Sequence, residues 1–378
     1  MSKLEELILK NCPKGVKFAK IKEICSSLFA GGTPNTSHSE YYDGEIPWLR
    51  SGEIDFNEIK KAERNITDLG LRNSSAKWIK ANSVLMAMTG ATVAKVATNT
   101  FDTTANQSVC AMEVDNQKVN YKYLYYILEL NYHKIRSSAQ GALTSLNLAM
   151  IKEISIPLPP LPVQEEIVRI LDSMADLQNN IEAELKERKK QYEHYREQIL
   201  GEQLSKLCPD GVGNVRLGSI VKVVTAPKKL NKKDYLISGI YPIVDQGQKF
   251  IVAYTNDESA LVPKDDYVIF GDHTREIKFV NFKFAQGADG VKILKSKVGV
   301  LPRYLYYSMT NLDIINRGYN RHWTIVQEME IPLPPLPVQE EIVRILDSMT
   351  ALQDNLEAEL VERRKQYEYY RNKILSFE

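Results

Sequence analysis

Two stretches of this chain repeat apolar residues at alternating steps of three and four. In the first, apolar and aromatic positions run from Val163 through Ile167, Ile170, Met174, Leu177, Ile181, Leu185, Tyr192, Tyr195 and Ile199. In the second they run from Val338 through Ile342, Ile345, Met349, Leu352, Leu356, Leu360, Tyr367, Tyr370 and Ile374. Such spacing predicts a coiled-coil seam, with Arg188 filling one position and an extra step of four between Ile181 and Leu185 acting as a stutter. Pro157, Pro159, Pro160 and Pro162 predict an extended lead-in, because proline cannot sit inside a helix. Glu165 and Glu166 then fall in the first turn, where acids suit the helix dipole. A helix of about 37 residues would be roughly 55 Å long.

The two stretches are copies. Ile156–Met174 and Ile331–Met349 both read IPLPPLPVQEEIVRILDSM, and from Ile156 to Leu200 the offset of 175 preserves 36 of 45 positions. Weaker echoes flank them: Cys12-Pro13-Lys14-Gly15-Val16 with Cys208-Pro209-Asp210-Gly211-Val212, and Tyr123-Leu124-Tyr125-Tyr126 with Tyr304-Leu305-Tyr306-Tyr307. The chain is a tandem duplication of variable block and shared block. A narrow apolar stripe cannot bury itself alone, so the two helices are expected to pack on each other. An antiparallel pairing is favoured, since it would carry the two variable blocks to opposite ends of one rod. A homodimer through the same seam is the alternative, because heptads do not fix partner identity. Leu4–Cys12 resembles Glu202–Cys208, so the first residues are expected to complete the end of the second helix.

The variable blocks, 13–150 and 209–325, read differently. Short β-branched and aromatic runs such as Ser83–Met88, Val109–Val114 and Ile277–Phe284 are broken by Gly, Pro, Asn and Asp, and each block closes on a Tyr-rich helical segment. Mixed α/β domains are expected, with the tyrosines as half-buried packing rather than base-stacking groups. Their loops are rich in small and amide side chains: Gly31–Thr36, Thr103–Ser108 and Ser137–Gly141 in the first, and Asp245–Gln248, Gly271–Arg275, Gln286–Gly290 and Tyr319–His322 in the second. Asn and Gln can pair bidentately with adenine, Arg with guanine, and glycine admits close backbone approach.

Charge sharpens this picture. The whole chain carries only +1, but residues 1–150, 151–205, 206–325 and 326–378 carry +3, −4, +7 and −5. Basic blocks alternate with acidic ones, as two anion-facing modules on spacers that face something else would. No apolar run approaches the length of a membrane span, and MSKLEELILKNCPKG does not read as a signal peptide. Cys12, Cys25, Cys110 and Cys208 lack metal-ligand spacing and are expected to be reduced thiols in a cytoplasmic protein.

Catalytic signatures are scarce. The chain has no phosphate-binding glycine loop and no Asp/Asn-Pro-Pro-Tyr/Phe tetrapeptide, and its five histidines lack metal-site spacing. Asp266 with Glu276-Ile277-Lys278 loosely fits the carboxylate–lysine spacing of metal-dependent nucleases, a pattern that also arises easily on solvated strands. His273 beside Asp272 forms half a triad without a nucleophile, which favours a loop-ordering or DNA-contacting role.

The duplicated IPLPPLPVQEEI with its long helix, GGTPNTSHSEYYDGEIPWLRSGEI (Gly31–Ile54), YPIVDQGQ, VIFGDHTR and QGADGVK together resemble the specificity subunit of type I restriction-modification systems, over essentially the whole chain. The resemblance implies an α+β protein. Two mixed α/β target-recognition domains would be separated by two long helices, packed as an antiparallel coiled coil in a pseudo-two-fold arrangement. The expected divisions are 1–152, a first target-recognition domain with a short N-terminal helix; 153–206, a central conserved spacer; 207–327, a second recognition domain; and 328–378, a distal conserved spacer. Such a subunit reads an asymmetric, two-part site on double-stranded DNA and docks two adenine-methyltransferase subunits on its helices, with restriction subunits joining the full complex. It carries no catalytic site, metal or cofactor of its own. Expected DNA contacts are Thr33, Asn106 and Gln107 in the first domain and Gln248, His273, Thr274 and Arg275 in the second. A metal-dependent nuclease and a coiled-coil adaptor that does not bind DNA remain the alternatives.

Overall fold

In the computed structural model, residues 2–139, 145–209, 211–287, 289–318 and 320–377 are described. The chain divides into two units, one built from residues 1–180 and 360–378, the other from residues 181–359. It is an α+β protein, and both shared blocks form 40-residue helices, Leu161–Leu200 and Leu336–Leu375. Each is preceded by an extended proline segment, whose first residues make a short strand, but Pro162 and Pro337 sit in the first turn of the helix, where a missing amide hydrogen costs nothing. Ser155–Pro157 pairs antiparallel with Phe18–Lys20, and Glu330–Pro332 with Asn214–Arg216. The start of each variable block is thereby stitched to its end. Among the described residues no helix is long and apolar enough to cross a membrane, and all four cysteines are free thiols.

The first unit holds a five-stranded sheet in the order Cys25–Ala30, Val109–Val114, Val84–Ala87, Val96–Asn99 and Asn57–Ile59. A three-stranded sheet of Asn65–Ile66, Tyr42–Leu49 and Thr104–Ala105 lies beside it in the chain's topology, with Trp48 and Leu49 parallel to Thr104 and Ala105. The second unit holds a four-stranded antiparallel sheet in the order Val221–Val224, Val291–Ser296, Tyr267–Gly271 and Ile277–Val280. Its companion sheet centres on Phe284–Gly287, which runs parallel to Tyr241–Val244. Both sheets in each unit are continuous apolar runs or alternations with a buried face, which explains why β-branched and aromatic residues dominate them.

Each domain is clamped to its own long helix by the same buried polar groups. The side chain of Gln164 donates to the carbonyls of Pro159 (2.7 Å) and Lys118 (3.1 Å) and accepts from the Asn120 amide (2.9 Å). Gln339, 175 residues on, donates to Pro334 (2.8 Å) and Gly299 (3.0 Å) and accepts from Leu301 (2.9 Å). The hydroxyl of Tyr123 reaches the Pro157 carbonyl at 2.9 Å, and that of Tyr304 reaches Pro332 at 2.7 Å. Asp172 accepts from Tyr126 (2.6 Å) and Lys122 (2.7 Å), while Asp347 accepts from Tyr307 and Arg303. The Tyr-rich helices Tyr121–Leu130 and Pro302–Thr310 are thus packing and anchoring elements, with Tyr123, Tyr304 and Tyr307 fully buried. Burial disfavours the charged phenolate and pushes the Tyr304 hydroxyl up to about 12, so it stays a hydrogen-bond donor.

The two long helices pack on each other. In the first unit the opening of Leu161–Leu200 accompanies the close of Leu336–Leu375; in the second the close of the first accompanies the opening of the second. The seam differs from the one the apolar residues predict. Leu177 and Leu352 are 39% and 40% exposed, and Tyr195 and Tyr370 are also exposed. Their neighbours Gln178 and Gln353 turn inward instead. Gln178 donates to the Arg363 carbonyl (3.0 Å) in the first unit, and Gln353 donates to the Arg188 carbonyl (3.2 Å) in the second. With Leu171 and Gln178 in the seam, steps of four and three alternate without interruption from Ile167 to Tyr192, and the stutter between Ile181 and Leu185 disappears. A long amide with a backbone partner suits a narrow interface as well as a leucine does, and counting apolar letters cannot see it.

The N-terminal helix Lys3–Asn11 is capped by Ser2 and Glu5 and buries Leu4 in the core that contains Leu375. Glu202–Leu207 buries Leu204 beside Ile199 and Leu200 in the same way. The first residues therefore finish the second long helix, as their likeness to Glu202–Cys208 predicts.

Candidate nucleic-acid interface

In the first domain three of the predicted residues converge. Gly31 and Gly32 pass so close to the Ala105–Asn106 backbone and to Ser75–Ala76 that any Cβ would clash, and the Gly32 amide donates to the Ala105 carbonyl at 2.8 Å. This close approach sets Thr33 against the next loop, where its hydroxyl donates to the side-chain oxygen of Gln107. Gln107 is exposed and Thr33 half-buried. Asn106 is used structurally: its side chain caps the turn through the Ser108 amide (3.1 Å), and its own amide donates to the Leu49 carbonyl (2.8 Å). Trp48 and Tyr42 brace the glycine loop through the carbonyls of Gly32 (2.9 Å) and Pro34 (2.6 Å). A second loop, Met88–Lys95, closes over the same strand ends. Thr92 donates to the Ser51 carbonyl at 2.8 Å, and the Met88 amide donates to Ser108 at 2.8 Å.

In the second domain the hub is Gln246. Its side-chain oxygen accepts from the His273 amide (3.2 Å), its side-chain nitrogen donates to the Asp289 carbonyl (3.1 Å), and its own carbonyl accepts from the Thr274 hydroxyl. Three amide-rich loops are thereby gathered at the ends of the parallel strands Tyr241–Val244 and Phe284–Gly287. Thr274 and Gln248 are exposed on them, and His273 is half-buried. Arg275 takes a left-handed backbone (φ 67°), and its guanidinium donates to the Ile314 carbonyl at 2.9 Å, so part of its donor set orders the loop after Pro302–Thr310. Sequence reading included Gln246 in its loop but not among the contacts; only its central position between three loops marks it.

Asp272 and His322 anchor this assembly. Asp272 is buried; its carboxylate accepts from the Trp323 amide (2.7 Å), and its carbonyl accepts from the His322 amide and faces Nδ1 of His322, each at 2.9 Å. Asp272 is therefore loop architecture rather than half of a triad. The nuclease-like trio is not gathered either. Asp266 and Glu276 flank opposite ends of the paired strands Tyr267–Gly271 and Ile277–Val280, about 15 Å apart at the usual rise per residue. Lys278 is buried and donates to the carbonyls of Asp245 (2.9 Å) and Lys249 (2.6 Å), where loss of hydration holds its ammonium below the usual lysine range. It ties down the Gln246 loop. Gln140, Gly141, Ala288 and Tyr319, parts of the predicted loops, lie outside the described residues.

Comparison with known proteins converges on one family. The profile of the type I restriction modification DNA specificity domain matches residues 13–188 and 209–363. An Escherichia coli relative, the type I restriction enzyme EcoR124I/EcoR124II specificity subunit, is 36% identical over 176 residues, 43% of this chain and 44% of that protein. The chain thus spans less than half the length of this relative. A putative type I restriction enzyme specificity subunit of Haemophilus influenzae, S.HindORF215P, is 31% identical over 296 residues, 69% of this chain and 73% of that protein. Among solved structures, the S subunit of a type I restriction-modification system from M. genitalium has a TM-score of 0.66 at 15% identity, covering 96% of this chain and 97% of that one. The HsdS subunit from Thermoanaerobacter tengcongensis has a TM-score of 0.51 at 17% identity, covering 96% and 97%. These two likenesses concern the fold, while the profile and the relatives carry the sequence. By the profile and the sequence relatives the chain belongs to the type I restriction-modification DNA specificity family, as a specificity subunit rather than a catalytic one.

Proposed function

We propose that this chain reads an asymmetric, two-part DNA sequence, one half with residues 1–152 and the other with residues 207–327. The segments 153–206 and 328–378 would act as spacers, paired as an antiparallel coiled coil with a pseudo-two-fold axis. The observation that carries the reading is the repeated clamp: Gln164 and Gln339, with Tyr123 and Tyr304, hold two unlike domains on two near-identical helices through equivalent bonds. Unlike heads on like mounts suit a protein whose two readings differ while their geometry is shared. Thr33, Asn106 and Gln107 would serve the first half-site, and Gln248, His273, Thr274 and Arg275 the second, with lysines and arginines of the basic blocks on phosphates. The acidic, exposed helix faces would dock two adenine-methyltransferase subunits, and restriction subunits would join that complex in the cytoplasm, where the chromosome lies.

Selection from a pool of randomised duplexes, using the chain together with its modification subunits, tests this. Enrichment of a motif with two unlike halves around an unread gap is expected. Enrichment of one continuous motif, or none at moderate salt, would sink it.

A further inference from the structure

The two domains use one loop framework, and it singles out a loop of the first domain that its sequence does not advertise. In the first domain the Ala87 amide donates to Lys95 (3.0 Å), Ala94 to Ala87 (2.8 Å), Met88 to Ser108 (2.8 Å) and Leu146 to Met88 (2.8 Å), with Thr92 bonded to the Ser51 carbonyl (2.8 Å). In the second domain the Gly271 amide donates to Glu276 (2.8 Å), Arg275 to Gly271 (2.8 Å), Asp272 to Gly290 (2.6 Å) and His322 to Asp272 (2.9 Å), with Thr274 bonded to the Gln246 carbonyl. The strands agree with this mapping. Ala87 pairs with Val109 as Gly271 pairs with Val291, and Leu49 pairs with Ala105 as Val244 pairs with Gln286. Even the backbone inversion coincides: Ala94 and Arg275, neither a glycine, both have φ of 67°. A left-handed residue without glycine is uncommon, so its recurrence at the same node marks a shared loop design.

Under this mapping, Gly271-Asp272-His273-Thr274-Arg275 corresponds to Ala87 through Ala94, a loop three residues longer. Two of the extra residues fall in Thr89-Gly90-Ala91, which stands where His273 does, and the third is buried Val93; Gly90 and Ala91 are exposed and Thr89 and Thr92 half-buried. We infer that Thr89–Ala91 is a DNA-contacting loop of the first domain, meeting the first half-site as His273 meets the second. This rests on the two-domain DNA reading above. Its small side chains explain why it escapes notice. They leave the backbone amides and the Thr89 hydroxyl as the contacting groups, and exposed Gly90 lets the chain come close to a base edge or phosphate. A Cβ at Gly90 would meet nothing within 4 Å, so the tip is open in the protein itself.

The test compares the wild-type complex with Ala91→Asp, Thr89→Val, Gln107→Ala and Thr274→Ala in selection from randomised duplexes, with thermal unfolding as the fold control. Ala91 is exposed, so its substitution should leave the unfolding midpoint unchanged. Ala91→Asp should reduce enrichment of the first half-site at least tenfold, because a carboxylate would face DNA. Thr89→Val should alter base preference in the same half that Gln107→Ala alters and not in the half that Thr274→Ala alters. If the wild type selects a two-part motif and Ala91→Asp and Thr89→Val select it unchanged, this loop assignment is wrong while the broader reading stands. If the wild type itself selects no two-part motif, both fall.

Discussion

Gln164 turns its entire amide inward, and so does Gln339. A single side chain here satisfies the carbonyl of the proline lead-in, one carbonyl before the Tyr-rich helix and the amide that starts that helix. Removing it orphans three backbone groups at once, each worth about 1–3 kcal/mol when buried. Gln164→Leu is therefore expected to destabilise the first unit by about 2–4 kcal/mol, read as a fall in its denaturant midpoint, and Gln339→Leu to do the same to the second. A change below about 0.5 kcal/mol would show that water replaces the lost bonds. Gln246 works by the same logic toward a different end: its amide joins loops to one another, so its effect belongs to the arrangement of those loops. Polar residues of this kind look like surface in a sequence. Their burial depends on three partners that arrive from distant segments.

At the level of elements, the long helices form where the 3.6-residue pattern, the proline lead-in and the first-turn acids agree. Their extent was legible, but the identity of the seam was only partly so. Leu177 and Leu352 face solvent while Gln178 and Gln353 bridge to the facing backbone, because two narrow helices close best where a side chain also satisfies a carbonyl. Leu177→Ser is expected to cost under about 0.5 kcal/mol, whereas Ile181→Ser, at a buried seam position, should cost about 2–4 kcal/mol. Equal costs in chemical denaturation would restore Leu177 to the seam. The loops obey a different rule. Amide-rich letters drew attention to Thr103–Ser108 and to its counterpart Gln286–Gly290, but to Gly271–Arg275 in one domain only, and hydrogen bonding places its counterpart at 87–94. Composition differs between equivalent loops because only the backbone frame is shared.

For the whole molecule, the duplication explains the domain mounts and the family membership together. The spacer reading makes a mechanical prediction: residues inserted between Ile181 and Lys186 should change the preferred gap between half-sites, measured by duplex selection, while leaving both half-site sequences as they were. A changed half-site sequence would contradict a spacer that only sets distance.

By itself the sequence determined the tandem repeat, the two long helices and the mixed character of the variable blocks, because each of these is written in local periodicity or in identity between segments; the family came from the resemblance of its motifs. It also marked Thr33 and Gln107 as expected DNA contacts, and the structure adds that a hydrogen bond joins them. Only the tertiary structure decided that Lys278, Asp272 and His322 are loop anchors, that Gln178 outranks Leu177, and that Thr89–Ala91 answers to His273. Those decisions turn on which buried backbone groups need a partner, and the partners lie tens to hundreds of residues away along the chain.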